Sequence, residues 1–212
     1  MQRADVHTRR LVGGALCLDF ANSIDWTADG SERPPHSEAL LEPEDLAAWG
    51  ERAGVVPAGA RLEVTGRELS AARLLRRALR DVFAAVAGNE APGPNGLALL
   101  KATFLEAVTA AELGEGDDGW RFAWKPDDAR RVRYAAAVDA VELLSDPARL
   151  ARLRMCPGNN CGWLFLDTSG RRRWCSMEVC GSRAKMRRLY RRRQAQRSAT
   201  DGRAVDTGAA NP

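Results

Sequence analysis

The sequence is poor in the groups that most often carry acid–base chemistry. Its 212 residues include two histidines, His7 and His36. Both lie in stretches without helical or strand periodicity, where a side chain is not held as a positioned base. Residues 11–150 contain no nucleophile–base pair and no metal-triad spacing, so we expect no enzyme. No apolar run approaches the roughly 20 residues that a membrane span requires. The opening "MQRADVHTRRLVGGALCLDF" carries acid early and lacks a continuous hydrophobic region with a small-residue cleavage site, which argues against a secretory leader. The expectation is a cytoplasmic protein with no membrane partner, in line with 45% hydrophobic and 28% charged residues.

Cysteine is scarce too, with five in the chain, yet Cys156, Cys161, Cys175 and Cys180 fall within 25 positions. In a reducing compartment such crowding points to metal or redox chemistry rather than structural disulfides. Cys17 stands apart and is expected to be a small buried residue. Acid is nearly missing from one stretch. Residues 171–197 hold eleven Lys/Arg and only Glu178, a net charge of +10, whereas residues 1–170 carry −5. An acidic body with a strongly basic end favours a polyanionic partner for that end.

Helical periodicity accounts for most of the first 150 residues. Leu16, Phe20 and Ile24 suggest a short helix, and Pro43 to Gly54 reads as another, with proline first and glycine as its stop. In "VTGRELSAARLLRRALRDVFAAVAG", Leu69, Ala72, Leu75, Leu79, Val82, Phe83 and Val86 hold the 3.6-residue period up to Gly88. After "NEAPGPNG" a further helix is expected from Leu97, capped by Asn95. Trp120, Phe122 and Trp124 then alternate beside an Asp-Asp-Gly turn, the pattern of a β-hairpin. A last helix falls in "PDDARRVRYAAAVDAVELLS". Asp19 and Asn22, one helical turn apart, are candidates for a small-molecule effector pocket. Satisfied buried polar groups are the plainer account of the same pair.

The cysteines form two pairs, Cys156-x4-Cys161 and Cys175-x4-Cys180, thirteen residues apart. Two pairs joined by a short loop suit one tetrahedral Zn2+ with four thiolates, an iron–sulfur cluster or a redox disulfide being the alternatives. "CPGNNC" has turn residues for a knuckle. "GWLFLD" reads as a strand, "TSGRRR" as a turn, "RWC" as the returning strand, and Cys180 opens a helix. This is a treble-clef order. A module of about 40 residues buries too little apolar surface to fold alone, and a structural metal supplies what is missing. Trp163, Phe165 and Trp174 are expected to form its small core and docking surface. On the last helix Leu189 and Tyr190 fall within about 60° of Met186 and these three should pack, while Lys185, Arg187, Arg188, Arg191 and Arg192 fill the opposite arc. A face of like charges without acids suits a phosphate lattice.

"CGWLFLDTSGRRRWCSMEVCGSRAK" resembles the CGNR zinc finger, with its "WLFxDxS" strand, "RRWC" and "CGNR". "LCLDFANS" and "LLRRAL" are similar to motifs of the ABATE domain, which precedes that finger. The resemblance implies zinc on Cys156, Cys161, Cys175 and Cys180, and a role as a stress-induced bacterial transcription regulator that binds DNA. Ser182 stands at the family's asparagine position. The expected fold is mainly α, a helical amino-terminal domain with a small β-hairpin followed by a treble-clef-like finger of a two-stranded hairpin and a helix. Expected boundaries are a flexible stretch 1–10, an ABATE-like sensing or dimerisation domain 11–150, the finger 151–195 and a disordered tail 196–212. Nucleic-acid contacts are expected from Arg171, Arg172, Arg173, Ser182, Arg183, Lys185, Arg187, Arg188, Arg191 and Arg192, mostly to phosphates. Expected partners are DNA, a small-molecule effector and a second copy in a homodimer. The competing functions are an RNA-binding or ribosome-associated zinc module and a protein–protein adaptor working through the basic helix.

Overall fold

The computed structural model describes residues 5–27, 29–32, 38–57, 59–116 and 119–205. The chain forms two compact units, Met1–Cys175 and Ser176–Pro212, which divide between the third and fourth cysteines of the cluster. The fold is mainly helical with two small antiparallel sheets, as the periodicities lead one to expect.

In the first unit, α1 (Leu16–Ala21), α2 (Pro43–Arg52), α3 (Gly66–Ala87), α4 (Pro94–Ala110) and α5 (Arg131–Leu144) enclose the core. Helix α2 begins with Pro43, and Glu42 and Asp45 form a reciprocal capping box there. Helix α3 starts where the Thr65 hydroxyl accepts from the Glu68 N–H at 3.2 Å, and its apolar seam of Leu69, Ala72, Leu75, Leu79, Val82 and Phe83 is buried. Phe20 meets Trp49 edge-on, with ring centroids 5.1 Å apart. Helix α4 is not capped by Asn95. Pro94 is its first residue and Gly93 precedes it, because proline's missing N–H costs nothing at that position.

Residues 5–10, expected to be flexible, are tied down. Val6 joins the core, and Arg9 donates to the Asn22 carbonyl and to Asp25 at 2.9 and 2.8 Å. His7 is exposed; His36 and the rest of residues 33–37 lie outside the described residues.

The hairpin is present as β1 (Glu112–Gly116) and β2 (Gly119–Ala123), in a register that pairs Leu113 with Phe122 and Glu115 with Trp120. Residues 117 and 118 of its turn lie outside the described residues. The shared face of Leu113, Trp120 and Phe122 is exposed, while the Trp124 indole is anchored on the Ala107 carbonyl at 2.8 Å.

A short α6 (Pro147–Leu150) leads into β3 (Leu153–Met155), which pairs with β4 (Leu164–Leu166) as Leu153↔Leu166 and Met155↔Leu164. The partner of "LFL" is therefore the segment before the knuckle, not the expected "RWC". The knuckle itself closes the chain back on the strand that precedes it. Leu153, Leu164 and Leu166 belong to the same buried cluster as the helices.

The second unit begins with a π turn (Met177–Gly181) that runs into α7 (Ser182–Val205). The expected disordered tail is thus helical as far as Val205, and residues 206–212 lie outside the described residues. Met186, Leu189 and Tyr190, expected to pack, are exposed. No described helix is long and apolar enough to cross a membrane.

Candidate metal centre and basic surface

Cys156 follows β3 directly, and its N–H donates to the Trp163 carbonyl at 2.8 Å. The knuckle turns back through Asn160, whose φ of 54° is left-handed, and the Cys161 N–H closes it on the Gly158 carbonyl at 3.0 Å. Asparagine tolerates that region better than most residues, which is why the "GNN" of the knuckle suits it. Gly162 has no alternative. A Cβ there would lie 2.2 Å from the Thr27 carbonyl oxygen, and its N–H donates to Trp26 O at 3.0 Å. The Cys175 N–H points at the Cys156 sulfur, 3.4 Å away. In the second unit the Ser176 hydroxyl accepts from the Val179 N–H at 3.3 Å, fixing the π turn that carries Cys180.

All four cysteines are buried, are free of disulfides, and have sulfurs within 4.8 Å of one another. Four sulfurs about 2.3 Å from a tetrahedral ion would be separated by about 3.8 Å. The Cys161 and Cys175 sulfurs are 3.8 Å apart. Proton donation from Cys161 and Cys175 pulls the Cys156 thiol well below its ordinary range, and the same hydrogen bonds among the sulfurs push Cys161 and Cys175 up. Four thiolates this close repel one another, so releasing every proton requires a cation among them. Soft sulfur donors in a closed tetrahedral set fit one structural zinc ion and leave no position for a substrate water.

Next to this centre, Arg154, Arg171 and Arg173 are exposed around a cleft of about 560 Å3 that also includes Met155, Phe165 and Asp167. Arg154 was not among the residues expected here; only its pairing opposite Phe165 in the β3–β4 register brings it to the cleft. Arg172 points inward. It lies 4.5 Å over the Phe165 ring and donates to the carbonyls of Val12, Trp174 and Cys175. On α7, Arg183, Lys185, Arg188, Arg191 and Arg192 are exposed and Arg187 is half-buried. None of the α7 cations from Arg183 to Arg193 forms an ion pair with a described carboxylate. Ser182 donates its hydroxyl to the Met177 carbonyl at 3.2 Å, bracing the junction of π turn and helix. With Glu178, Val179, Arg183, Met186 and Arg187 it lines a shallow depression of about 470 Å3.

Asp19 and Asn22 are engaged by backbone. The Asn22 amide donates to the Leu164 carbonyl at 2.8 Å and accepts from the Leu164 N–H at 3.0 Å. It takes the place of a neighbouring strand for β4. Asp19 accepts from the Gly13 N–H at 2.7 Å, and burial pushes its carboxyl up to about 6. Cys17 is buried as expected, and its backbone N–H donates to Asp139 at 2.8 Å.

Comparison with protein families agrees with this architecture. Residues 14–147 match the ABATE model, described as "Putative stress-induced transcription regulator", over more than half the chain. The chain belongs to the ABATE family. Residues 152–193 of this ABATE protein match the CGNR zinc finger, which contains all four cysteines. Neither family is an enzyme family by description. No curated protein matches the chain.

Proposed function

We propose that this ABATE protein is a zinc-dependent transcription regulator that binds DNA through α7 and the arginine-lined cleft. The observation that carries the reading is the state of α7: its cations from Arg183 to Arg193 are exposed apart from the half-buried Arg187, unpaired with described carboxylates, and interrupted by no acid before Asp201. A surface helix that serves only solubility mixes its charges, because like charges at i, i+4 destabilise it. Phosphates remove that penalty. Arg183, Lys185, Arg187, Arg188, Arg191 and Arg192 set affinity and orientation. Arg171, Arg173 and Arg154 add contacts from the cleft, their guanidinium forks being suited to phosphates and base edges alike.

In this reading the zinc ion is structural and the chain has no catalytic step. The helical domain holds β4 by way of Asn22, and Asp19 holds the Gly13 turn, so neither is assigned to an effector. Arg172 supports the finger from within and is assigned no base contact.

The test is binding of the zinc-loaded protein to fluorescent duplex DNA across a salt series. If about five cations meet phosphates, log K falls against log salt with a slope near −4 to −5. A slope near zero overturns the reading. Tighter binding of structured RNA than of duplex DNA at fixed salt would move the same surface to an RNA partner.

A further inference from the structure

Arg80, near the end of α3, is 1% exposed, and it differs from the other buried arginines. Arg76 forms a two-pronged pair with Glu38, at 2.6 Å on each prong. Arg133 binds Glu68 and Glu106 at 2.8 and 3.0 Å, and Arg9 binds Asp25. Arg80 has no carboxylate within ion-pair distance among the described residues. Among the described residues its Nε has no hydrogen-bond partner, and its Nη2 reaches only the Thr27 carbonyl at 3.4 Å and the Met155 sulfur at 3.6 Å. A buried charge with so little compensation costs several kcal/mol.

What surrounds the guanidinium supplies the missing anion. Met155 immediately precedes Cys156. Gly162 immediately follows Cys161, and a Cβ on it would lie 3.0 Å from Arg80 Nη2. The guanidinium therefore lies against both ends of the first cysteine knuckle, steadied by the Trp26 ring at 5.9 Å. Four thiolates around Zn2+ carry a net charge of −2, mostly on sulfur. Burial lowers the Arg80 pKa, and the negative groups that act against it are Asp81, then Asp29 and Cys161.

We infer that Arg80 is the buried counter-charge of the zinc–thiolate centre, a positioning residue through which the helical domain stabilises the metal-loaded knuckle. The two charges depend on each other. With thiols in place of thiolates, the buried charge of Arg80 is opposed among the described residues only by Asp81 and Asp29, both beyond ion-pair distance. Once the thiolates form on the metal, each charge offsets the burial cost of the other. Zinc loading then tightens α3 as well as the finger. A metal-linked change in the finger is thereby transmitted to the helical domain without any ligand in that domain.

The experiment compares full-length wild type, Arg80→Met, Arg80→Lys and Arg76→Met. Zinc affinity is read by competition with a chromophoric chelator, and thermal midpoints are read with and without zinc. Outer-sphere partners of metal ligands are typically worth about 10–100-fold in affinity. Arg80→Met is expected to weaken zinc binding by that factor while lowering the zinc-free midpoint little or not at all. Arg80→Lys restores part of the loss because it keeps the charge. Arg76→Met lowers both midpoints alike and leaves zinc affinity unchanged. Equal zinc affinity in wild type and Arg80→Met overturns the inference. So does an equal fall of both midpoints in Arg80→Met, or an Arg80→Lys variant no better than Met. If Arg80→Met does not fold, Arg80→Lys against Arg76→Met decides. A loss of zinc affinity larger in Arg80→Lys than in Arg76→Met supports the counter-charge, because lysine keeps the charge but not the reach of the guanidinium, and the reverse refutes it.

Discussion

Helices α3 and α7 are both long and rich in arginine, but they use the residue in opposite ways. In α3, Arg73 donates to the carbonyls of Leu40 and Leu41, Arg76 grips Glu38, and Arg80 lies against the cysteine knuckle. These side chains stitch distant segments to a helix whose other face fills the core. In α7 the arginines from Arg183 to Arg193 are exposed apart from the half-buried Arg187, and the apolar residues Met186, Leu189 and Tyr190 are exposed with them. Arginine content therefore says little about nucleic-acid binding. What separates the two helices is whether carboxylates and orphan carbonyls converge on the guanidinium, and whether anything covers the apolar stripe.

Zinc removal is the largest perturbation of this contrast. Binding of structural zinc is worth on the order of 10 kcal/mol in small modules. Because Leu164 and Leu166 share the helical core, a chelator is expected to lower the thermal midpoint of the helical domain as well as abolish DNA binding. Cys161→Ser should do the same. A helical domain melting at the same temperature with and without zinc would show that the β3–β4 segment is a passenger.

Breaking the inward use of arginine comes next. Arg76→Ala takes from Glu38 its two-pronged partner, leaving it Arg73 at 4.0 Å and the Leu40 N–H, and is expected to cost about 3–5 kcal/mol, by analogy with other broken buried pairs. Urea unfolding checks this, and the DNA salt slope of the folded protein should not change.

Asp19 gives a smaller, pH-dependent effect. Its carboxyl is raised from 3.8 to about 6 by burial, against the pull of the Gly13 and Val12 N–H groups. Between about pH 4 and 6 the folded state holds more protons than the unfolded one, so stability falls as pH rises through that window and then levels. The Asp19 share is on the order of 3 kcal/mol. It is measured as the difference in urea midpoints between wild type and Asp19→Asn at pH 4, 5, 6 and 7. Parallel curves would refute it.

The outward arginines should have the least effect on stability. Arg187→Ala and Arg191→Ala are each expected to shift stability by no more than about 0.5 kcal/mol. Each should also reduce the magnitude of the salt slope by about 1. An α7 variant that unfolds the protein, or that binds DNA with an unchanged slope, would erase the distinction between the two helices.

Features set by neighbours in the chain are legible in the sequence itself. The seam of α3 repeats every 3.6 residues, the β1–β2 hairpin alternates around a glycine, and the cysteine spacing matches a tetrahedral set. Features that depend on distant partners are not. "LRM" is too short to announce itself as the strand that pairs with "LFL". Nothing near Asn22 reveals that its amide will meet Leu164, 142 positions away. Arg171, Arg172 and Arg173 are identical in type and adjacent in sequence, yet only Arg172 turns in over Phe165.

The sequence alone thus determined the helical class, the metal ligands and the location of the excess positive charge, because these rest on local period, spacing and composition. The tertiary structure decided which arginines remain available and where the finger is held. A guanidinium's role depends on which acceptors come within about 3 Å of it, and for Arg73, Arg76 and Arg133 those acceptors belong to residues far away along the chain.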